Sequence, residues 1–306
     1  MVPGARVCDS ASVTTLRIGS LSLAPGQFGV MAVVNRTPDS FYDQGATYHL
    51  EDALERVETV VQQGADIIDV GGVKAGSGAE VDTAEEIRRT VPFLAEVRRR
   101  HPDLPLSIDT WRVEVAREAV AAGADLINDA WSRADDALYT VAAETGAALV
   151  CSHVGGLAPR TDPVEVHYDD VVADVVARTT GLATHAMELG VRPDGLLLDP
   201  THDFGKTTAH SLELTRRLDT LTGTGLPVLV SLSRKDFVGE TLALPVDHRL
   251  SGTLAATTIC AWHGARMFRV HDVAATRQTL DMVASILGTR PPAAPARGLP
   301  ETERTS

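Results

Sequence analysis

From residue 28 onward the chain repeats one alternation of hydrophobic patterns. A short apolar run without charge or polar alternation is followed by a longer segment whose apolar residues recur every three or four positions. Val30, Met31, Ala32, Val33 and Val34 form the first run. Such a run reads as a strand buried on both faces, the kind found in parallel sheets covered by helices. It stops at Asn35, ahead of Arg36-Thr37-Pro38-Asp39-Ser40. Pro38 lacks an amide hydrogen and pushes Thr37 towards extended geometry, so the strand cannot pass straight into a helix. Seven further runs predict strands at 67–70, 105–110, 126–130, 148–153, 196–200, 227–233 and 267–272. Helical spacing predicts helices at 50–63, 83–100, 113–122, 134–145, 168–189, 209–221, 249–263 and 276–287.

Gly64-Ala65-Asp66, Gly123-Ala124-Asp125 and Gly264-Ala265-Arg266 each follow a predicted helix and open a strand, with the glycine as helix C-cap. Eight strand–helix pairs in 306 residues predict an α/β fold, a (β/α)8 TIM barrel. A doubly wound open sheet is the alternative. It should carry a phosphate-binding glycine fingerprint after its first strand, where this chain has Asn35-Arg36-Thr37-Pro38. Residues 16–23 (LRIGSLSL) alternate and contain Gly19, which predicts a short N-terminal β-hairpin lying as a lid on the bottom of the barrel. The expected organisation is a flexible lead over 1–14, one barrel domain over 15–287, and a disordered tail rich in Pro, Ala and Arg over 288–306.

Composition narrows the function. At 44% hydrophobic the chain can bury a large core. With 28 Lys+Arg against 41 Asp+Glu, a net charge of -13 argues against nucleic-acid or anionic-membrane binding. An anionic ligand therefore needs a local basic cluster. No segment has the apolar length to span a bilayer, and the N-terminus has no secretory core. Cys8, Cys151 and Cys260 are far apart without metal-type spacing. Cys151 and Cys260 lie in apolar runs and read as buried thiols of a cytoplasmic protein.

In a barrel, chemistry collects at the C-terminal ends of the strands. There the sequence places Asn35, Asp69, Asp109, Asn128, His153, Asp199, Ser233, Lys235, Arg269 and His271. Each alone reads as a cap or a turn. Together on one rim they would leave several carboxylates and amides wanting partners, which a flat heteroaromatic ligand would supply. Asp109, Asn128 and Asp199 can hydrogen-bond the edge of a nitrogen heterocycle. Arg269 and His271, two apart on a strand, share a face. With Arg234 and Lys235 they form a candidate cationic cradle for a polyanion such as pyrophosphate. For Arg234 the plain alternative is capping the carbonyls of a neighbouring loop.

The stretches Asn35-Arg-Thr-Pro-Asp-Ser-Phe, Asp69-Val-Gly-Gly, Ser107-Ile-Asp-Thr, Ile127-Asn-Asp, Asp199-Pro with Phe204-Gly-Lys, Ser233-Arg-Lys and Arg269-Val-His-Asp resemble, in order and spacing, those of the dihydropteroate synthase family. The resemblance runs from about residue 28 to residue 287. It implies the barrel and a transferase of folate biosynthesis that joins 6-hydroxymethyl-7,8-dihydropterin diphosphate to p-aminobenzoate and releases pyrophosphate. It also implies that Lys235, Asp109, Arg269 and His271 are catalytic, and that Asp109, Asn128, Asp199 and Lys235 bind the pterin. Asn35, Arg269 and His271 would hold the diphosphate with Mg²⁺, Asn35 as the metal ligand. Lys74, Phe204, Lys206 and Asp236 would border the second substrate. The family forms dimers through its last helices, for which Trp262 and Met282 are candidates.

The departures cluster. Where the family reads Glu-Ser-Thr-Arg-Pro-Gly, this chain has Val73-Lys74-Ala75-Gly76-Ser77-Gly78. Losing one charge-assisted hydrogen bond costs ~1.5 to 3 kcal/mol, a slowing of ~10- to 100-fold. Lys74 is a point charge two positions from the missing Arg. Asp236 stands after Ser-Arg-Lys, where it is expected to repel a benzoate carboxylate near the start of the next helix. Asp-Pro-Gly-Ile-Gly-Phe becomes Asp199-Pro200-Thr201-His202-Asp203-Phe204, and the Met-Arg after His153 becomes Val154-Gly155. The pattern resembles the divergent second paralogue of actinobacteria. This implies an impaired transferase or, as the alternative, an inactive or repurposed paralogue that binds a pterin without making dihydropteroate. A pterin-handling methyltransferase on the same barrel would have no use for Ser233-Arg-Lys with Arg269 and His271.

Overall fold

The computed structural model describes residues 15–37, 49–74, 76, 78–131, 136–161, 166–295 and 297. The expected lead over 1–14, the motif residues from 38 to 41, Ala75, Ser77 and most of the final tail lie outside the described residues.

A two-stranded hairpin, β1 (Leu16–Ile18) and β2 (Leu21–Leu23), precedes an eight-stranded parallel sheet. Its strands are β3 (Gly29–Asn35), β4 (Ile67–Gly71), β5 (Leu106–Asp109), β6 (Leu126–Asp129), β7 (Ala148–Ser152), β8 (Leu196–Asp199), β9 (Leu229–Val230) and β10 (Met267–Val270). The order β8-β7-β6-β5-β4-β3-β10-β9 is closed by a parallel bridge between Leu198 and Val228, with the Leu198 amide donating to the Pro227 carbonyl at 2.9 Å. The sheet is therefore a barrel and not a doubly wound open sheet. Its helices are α1 (Leu50–Gln62), α2 (Thr83–Arg100), α3 (Val113–Ala121), α4 (Asp136–Thr145), α5 (Val171–Glu188), α6 (Thr208–Arg216), α7 (Leu218–Thr222), α8 (Asp236–Leu242), α9 (Leu250–Trp262) and α10 (Val273–Ile286).

The repeated Gly-Ala-Asp turn has a double role. Gly64 and Gly123 adopt φ of +94° and +111°, which lets the next amide reach back to the helix: Ala65 to the Val60 carbonyl and Ala124 to that of Ala119, both at 2.9 Å. The aspartate then caps the preceding strand. Asp66 accepts from the Val30 amide at 2.7 Å and Asp125 from that of Leu106 at 3.0 Å. In the third copy Arg266 replaces the aspartate, and its guanidinium donates to the Leu23 carbonyl. That contact ties the hairpin to the barrel.

Two apolar cores follow. The larger lies between the strands and the helices. The smaller fills the barrel's lower interior, where Met31, Ile67, Leu126, Leu197, Leu229 and Met267 meet Leu16, Ile18 and Leu23 of the hairpin. The hairpin thus plugs the bottom, and the opposite end is left to polar groups.

Three elements differ from expectation. The seventh strand shrinks to β9, which pairs with Met267 and Phe268 of β10 and meets β8 only through the bridge between Val228 and Leu198. The helix expected at 209–221 breaks at Arg217, whose guanidinium is held by Asp170 and Glu213, while Leu218 and Leu221 turn into the core. Finally, α8 follows Lys235, at the helix start implied by the resemblance, although the hydrophobic pattern alone predicted the next helix only at 249–263.

Candidate active site

Strand alternation builds the site. Successive side chains point to opposite faces, so residues two apart climb the barrel interior together. Each series begins on an apolar floor residue and ends on a polar one. Met31 leads through Val33 to Asn35, Ile67 to Asp69, Leu126 to Asn128, Leu197 to Asp199, Leu229 to Ser231 and Ser233, and Met267 through Arg269 to His271. The register sets neighbours side by side: Asp69 opposite Ser107 and Asp109 opposite Asn128.

Two cavities open at this end. A narrow inner slot is lined by Asp109, Asn128, Asp199 and Lys235, with Trp111, Trp131 and Phe204 as aromatic walls. A larger one, of about 300 Å³, is bordered by Asn35, Lys74, Gly76, Asp203, Ser233, Asp236 and His271. Asp109, Phe204, Lys235 and Arg269 belong to both. Phe204 meets Trp131 edge-to-face with centroids 4.9 Å apart, and the Lys235 ammonium lies 4.5 Å from the Phe204 ring centroid. Flat apolar walls and a ring of hydrogen-bonding groups suit a planar, nitrogen-rich ligand.

The charges are tightly coupled. Arg269 donates from Nε to Asp69 Oδ2 at 2.6 Å and from Nη2 to Asp109 Oδ2 at 2.7 Å. The buried Asp69 also accepts from Ser107 Oγ at 2.6 Å. Burial pushes the Asp109 carboxyl up to about 7, against the pull of Arg269 and with a further push from Asp69. Asp199 is also raised by burial, although Lys235 and the Thr201 amide favour its charge. Burial alone would lower Arg269, but Asp69 and Asp109 outweigh it and hold the guanidinium firmly charged.

The expected cationic cradle is smaller than its sequence. Burial, then Arg269, pushes His271 down to about 3, so its imidazole is neutral. Arg234 turns away from the cavity. Its guanidinium binds Asp272 at 2.8 and 3.0 Å and the carbonyls of Val246 and Asp247 at 2.9 Å. That is the loop-capping role, and Arg269, Lys235 and Lys74 are left as the cations that line the cavities. His153 also points elsewhere, with Nε2 2.7 Å from Asp174 Oδ1. Lys206, expected beside a second substrate, spends its ammonium on the carbonyls of His153, Thr201 and Phe204 at 2.7, 3.1 and 2.9 Å.

Two residues absent from the sequence-based site matter most. Thr201 and Asp203, standing where the resembling family has glycines, keep positive φ values of 48° and 75°. A β-branched residue is disfavoured there and an aspartate is tolerated better, so for Thr201 above all the surrounding contacts must hold the turn. Thr201 bonds the Asp199 carbonyl, and Asp203 Oδ2 accepts from the Asp236 amide at 2.7 Å. The Phe237 amide lies 3.3 Å from Asp203 Oδ1. Burial raises the Asp203 carboxyl, while Lys235 and these amides pull it back. The clash expected from Asp236 is misplaced: its side chain is exposed and bonds Arg249 at 2.7 Å. The carboxylate over the start of α8 is that of Asp203.

A metal can be tested against the same geometry. Among the described residues no group of three or more His, Cys, Asp or Glu side chains forms a metal cage. Asn35 offers an amide group to the larger cavity. One such oxygen suits Mg²⁺, which keeps its waters and takes the remaining ligands from a phosphate chain.

Comparison with known proteins shows the family. The family model described as pterin binding enzyme matches residues 31–271. The chain is 58% identical over 274 residues to the "Inactive dihydropteroate synthase 2" of Mycobacterium leprae, covering 88% of this chain and 94% of that protein. It is 37% identical over 262 residues to the dihydropteroate synthase of Escherichia coli, covering 85% of this chain and 92% of that one. In structure it is similar to the Yersinia pestis dihydropteroate synthase solved with a sulfonamide drug complex. The TM-score is 0.84 at 34% identity, over 90% of this chain and 100% of that chain. A closed barrel with this rim, matched along most of its length, belongs to the dihydropteroate synthase family of pterin-binding enzymes.

Proposed function

We propose that the inner slot holds the pterin ring of 6-hydroxymethyl-7,8-dihydropterin diphosphate. The observation that carries this reading is that Asp109, Asn128, Asp199 and Lys235 line one narrow slot with Trp111, Trp131 and Phe204. Asp109, Asn128 and Asp199 accept from or donate to the ring edge, and Lys235 packs over the ring's surroundings. Arg269 and Lys74 draw the diphosphate towards the larger cavity, beside Asn35 and the neutral His271. Mg²⁺, held by Asn35 and the diphosphate, would neutralise charge on the leaving group.

The reaction this supports is a transferase of dihydropteroate synthase type. The methylene C–O bond breaks and pyrophosphate leaves with the electron pair. The nitrogen lone pair of an aryl amine forms the new C–N bond, and the nitrogen then loses a proton. Fixed cations stabilise the departing anion, while Asp109 and Asp199 stabilise cationic character on the pterin. Gly76 stands where the family has arginine, so the step is impaired. The second reading, a pterin binder that makes no dihydropteroate, is favoured by one observation: the Asp203 carboxylate borders the larger cavity and accepts from the Asp236 amide at the start of α8.

Pyrophosphate release from the pterin diphosphate with p-aminobenzoate tests the first reading. Turnover above a Lys235→Ala control supports it. Calorimetric binding of the pterin diphosphate without turnover leaves the second reading, and absence of binding removes both.

The reading includes a homodimer. Ile259 and Trp262 of α9 and Met282 and Ile286 of α10, on adjacent helices, are 45%, 54%, 62% and 59% exposed, an apolar patch suited to a second copy. It also includes a cytoplasmic setting, supported by unpaired buried Cys151 and Cys260. Among the described residues no helix is long and apolar enough to cross a membrane.

A further inference from the structure

The larger cavity has two unlike walls. One carries Lys74, Asn35 and Arg269, and the other carries Asp203 and Asp236 at the start of α8. A diphosphate belongs on the first wall. A second ligand that reaches the pterin methylene must therefore lie against the second. Lys235 stands between the walls, but its ammonium is directed at the His202 carbonyl and the Phe204 ring.

The backbone amides of Asp236 and Phe237 are the donors this acidic wall would offer to a carboxylate, and Asp203 has taken them. Its position is actively maintained. Ser211 Oγ accepts from the Asp203 amide at 3.1 Å and lies 3.3 Å from its Oδ1, which fixes the backbone at a φ of +75°. Strain of this kind persists only where surrounding contacts hold it, and here they hold one carboxylate in one place. Asp236 adds a second negative charge nearby, neutralised by Arg249 on the solvent side. A ligand carboxylate on this wall would meet the Asp203 carboxylate and no unpaired amide of that first turn. An uncharged or cationic substituent would meet acceptors.

We infer that Asp203 is a specificity-determining residue: the wall it forms admits an amine bearing an uncharged or cationic group and turns away one bearing a carboxylate. This rests on the reading that a pterin fills the inner slot, and the outcomes are separable. The test is calorimetry at pH 8 on the full chain saturated with the pterin diphosphate, comparing 4-aminobenzamide with 4-aminobenzoate. The wild type is expected to bind the amide at least tenfold more tightly. Asp203→Gly, which relaxes the backbone and frees the amides, should narrow that ratio at least fivefold. Asp203→Asn, which keeps the side chain's shape without its charge, should narrow it too. Equal or tighter binding of the benzoate by the wild type overturns the inference while leaving pterin binding intact. So does a ratio that moves in Asp236→Asn and in neither Asp203 variant. Failure of the pterin diphosphate to bind overturns the underlying reading, and the inference with it.

Discussion

Arg269 holds Asp109 at 2.7 Å while its Nε holds Asp69 at 2.6 Å, so one guanidinium clamps two carboxylates across the barrel interior. Asp69 is completely buried, and Asp109 is mostly buried with 20% of its side chain exposed. Arg269 is thus part of the slot's framework before it meets any ligand. Arg269→Ala would strand both carboxylates and is expected to cost about 3 to 5 kcal/mol of stability, the usual penalty for breaking a buried pair. Arg269→Lys should recover little, because a single ammonium cannot bridge two carboxylates as a planar fork does. Urea unfolding at pH 8 measures both. A loss below about 1 kcal/mol for the alanine variant would show that the clamp is dispensable.

Asp109 gives the slot a pH dependence. Burial raises its carboxyl to about 7, so the folded protein retains a proton that the unfolded chain gives up near pH 4. The contribution of this group to stability is accordingly present at acid pH and is lost as pH rises through about 7. A pterin whose N–H groups donate to Asp109 requires the ionised form, so affinity has the opposite slope. It should fall about tenfold per pH unit below about 7 and level off above it. Asp199, raised in the same direction, steepens the fall. Calorimetric titrations between about pH 5.5 and 8.5 read this directly, and Asp109→Asn should remove its share of the slope. A flat profile between pH 6 and 8 would mean that the ligand does not use the ionised carboxylate.

The barrel was legible because buried parallel strands and amphipathic helices leave strong, different periodicities, and because Gly64, Gly123 and Gly264 mark the helix ends. The weak points were closure and junctions. How far β9 pairs depends on its fit against β10 and on the single Val228–Leu198 bridge that closes the barrel, which no local pattern records. The slot's acids and amide were legible for the same reason as the strands: alternation places Asp109, Asn128 and Asp199 on the inner face. Arg234 and Lys235 show the limit. They are adjacent in sequence, yet a φ of +55° at Arg234 aims it at Asp272 while Lys235 faces the slot. Asp203 was missed because its role exists only where its loop meets α8. The one signal was a non-glycine residue standing where the resembling family has glycine.

The exposed faces of α9 and α10 make an assembly prediction. Trp262 and Met282, the interface candidates named from the sequence, are 54% and 62% exposed. Large apolar groups of this kind on adjacent helices cost little to cover and gain from burial. The wild-type chain should sediment as a dimer at micromolar concentration. Trp262→Arg combined with Met282→Arg should sediment as a monomer whose circular dichroism is unchanged. A wild type that remains monomeric at high concentration would remove the second copy from the reading.

The loop at Gly76 provides the sharpest gain-of-function test. Gly76 lines the larger cavity, and a Cβ built there meets no atom within 4 Å, so a side chain can be added without displacing neighbours. Its backbone is already positioned: Arg160 donates from Nε to the Gly76 carbonyl at 3.1 Å and from Nη1 to that of Ala79 at 3.0 Å. What the wall lacks is charge at this point. Gly76→Arg is therefore expected to raise pyrophosphate release by ~10- to 100-fold, the equivalent of one recovered charge-assisted hydrogen bond of ~1.5 to 3 kcal/mol. The defect at Asp203 lies on the other wall and acts on the amine, so Asp203→Gly should multiply the gain with p-aminobenzoate. With 4-aminobenzamide it should add little. If neither the single nor the double variant exceeds the Lys235→Ala control while both still bind the pterin diphosphate, two local substitutions do not explain the impairment. The chain is then a pterin binder, and the transferase reading falls.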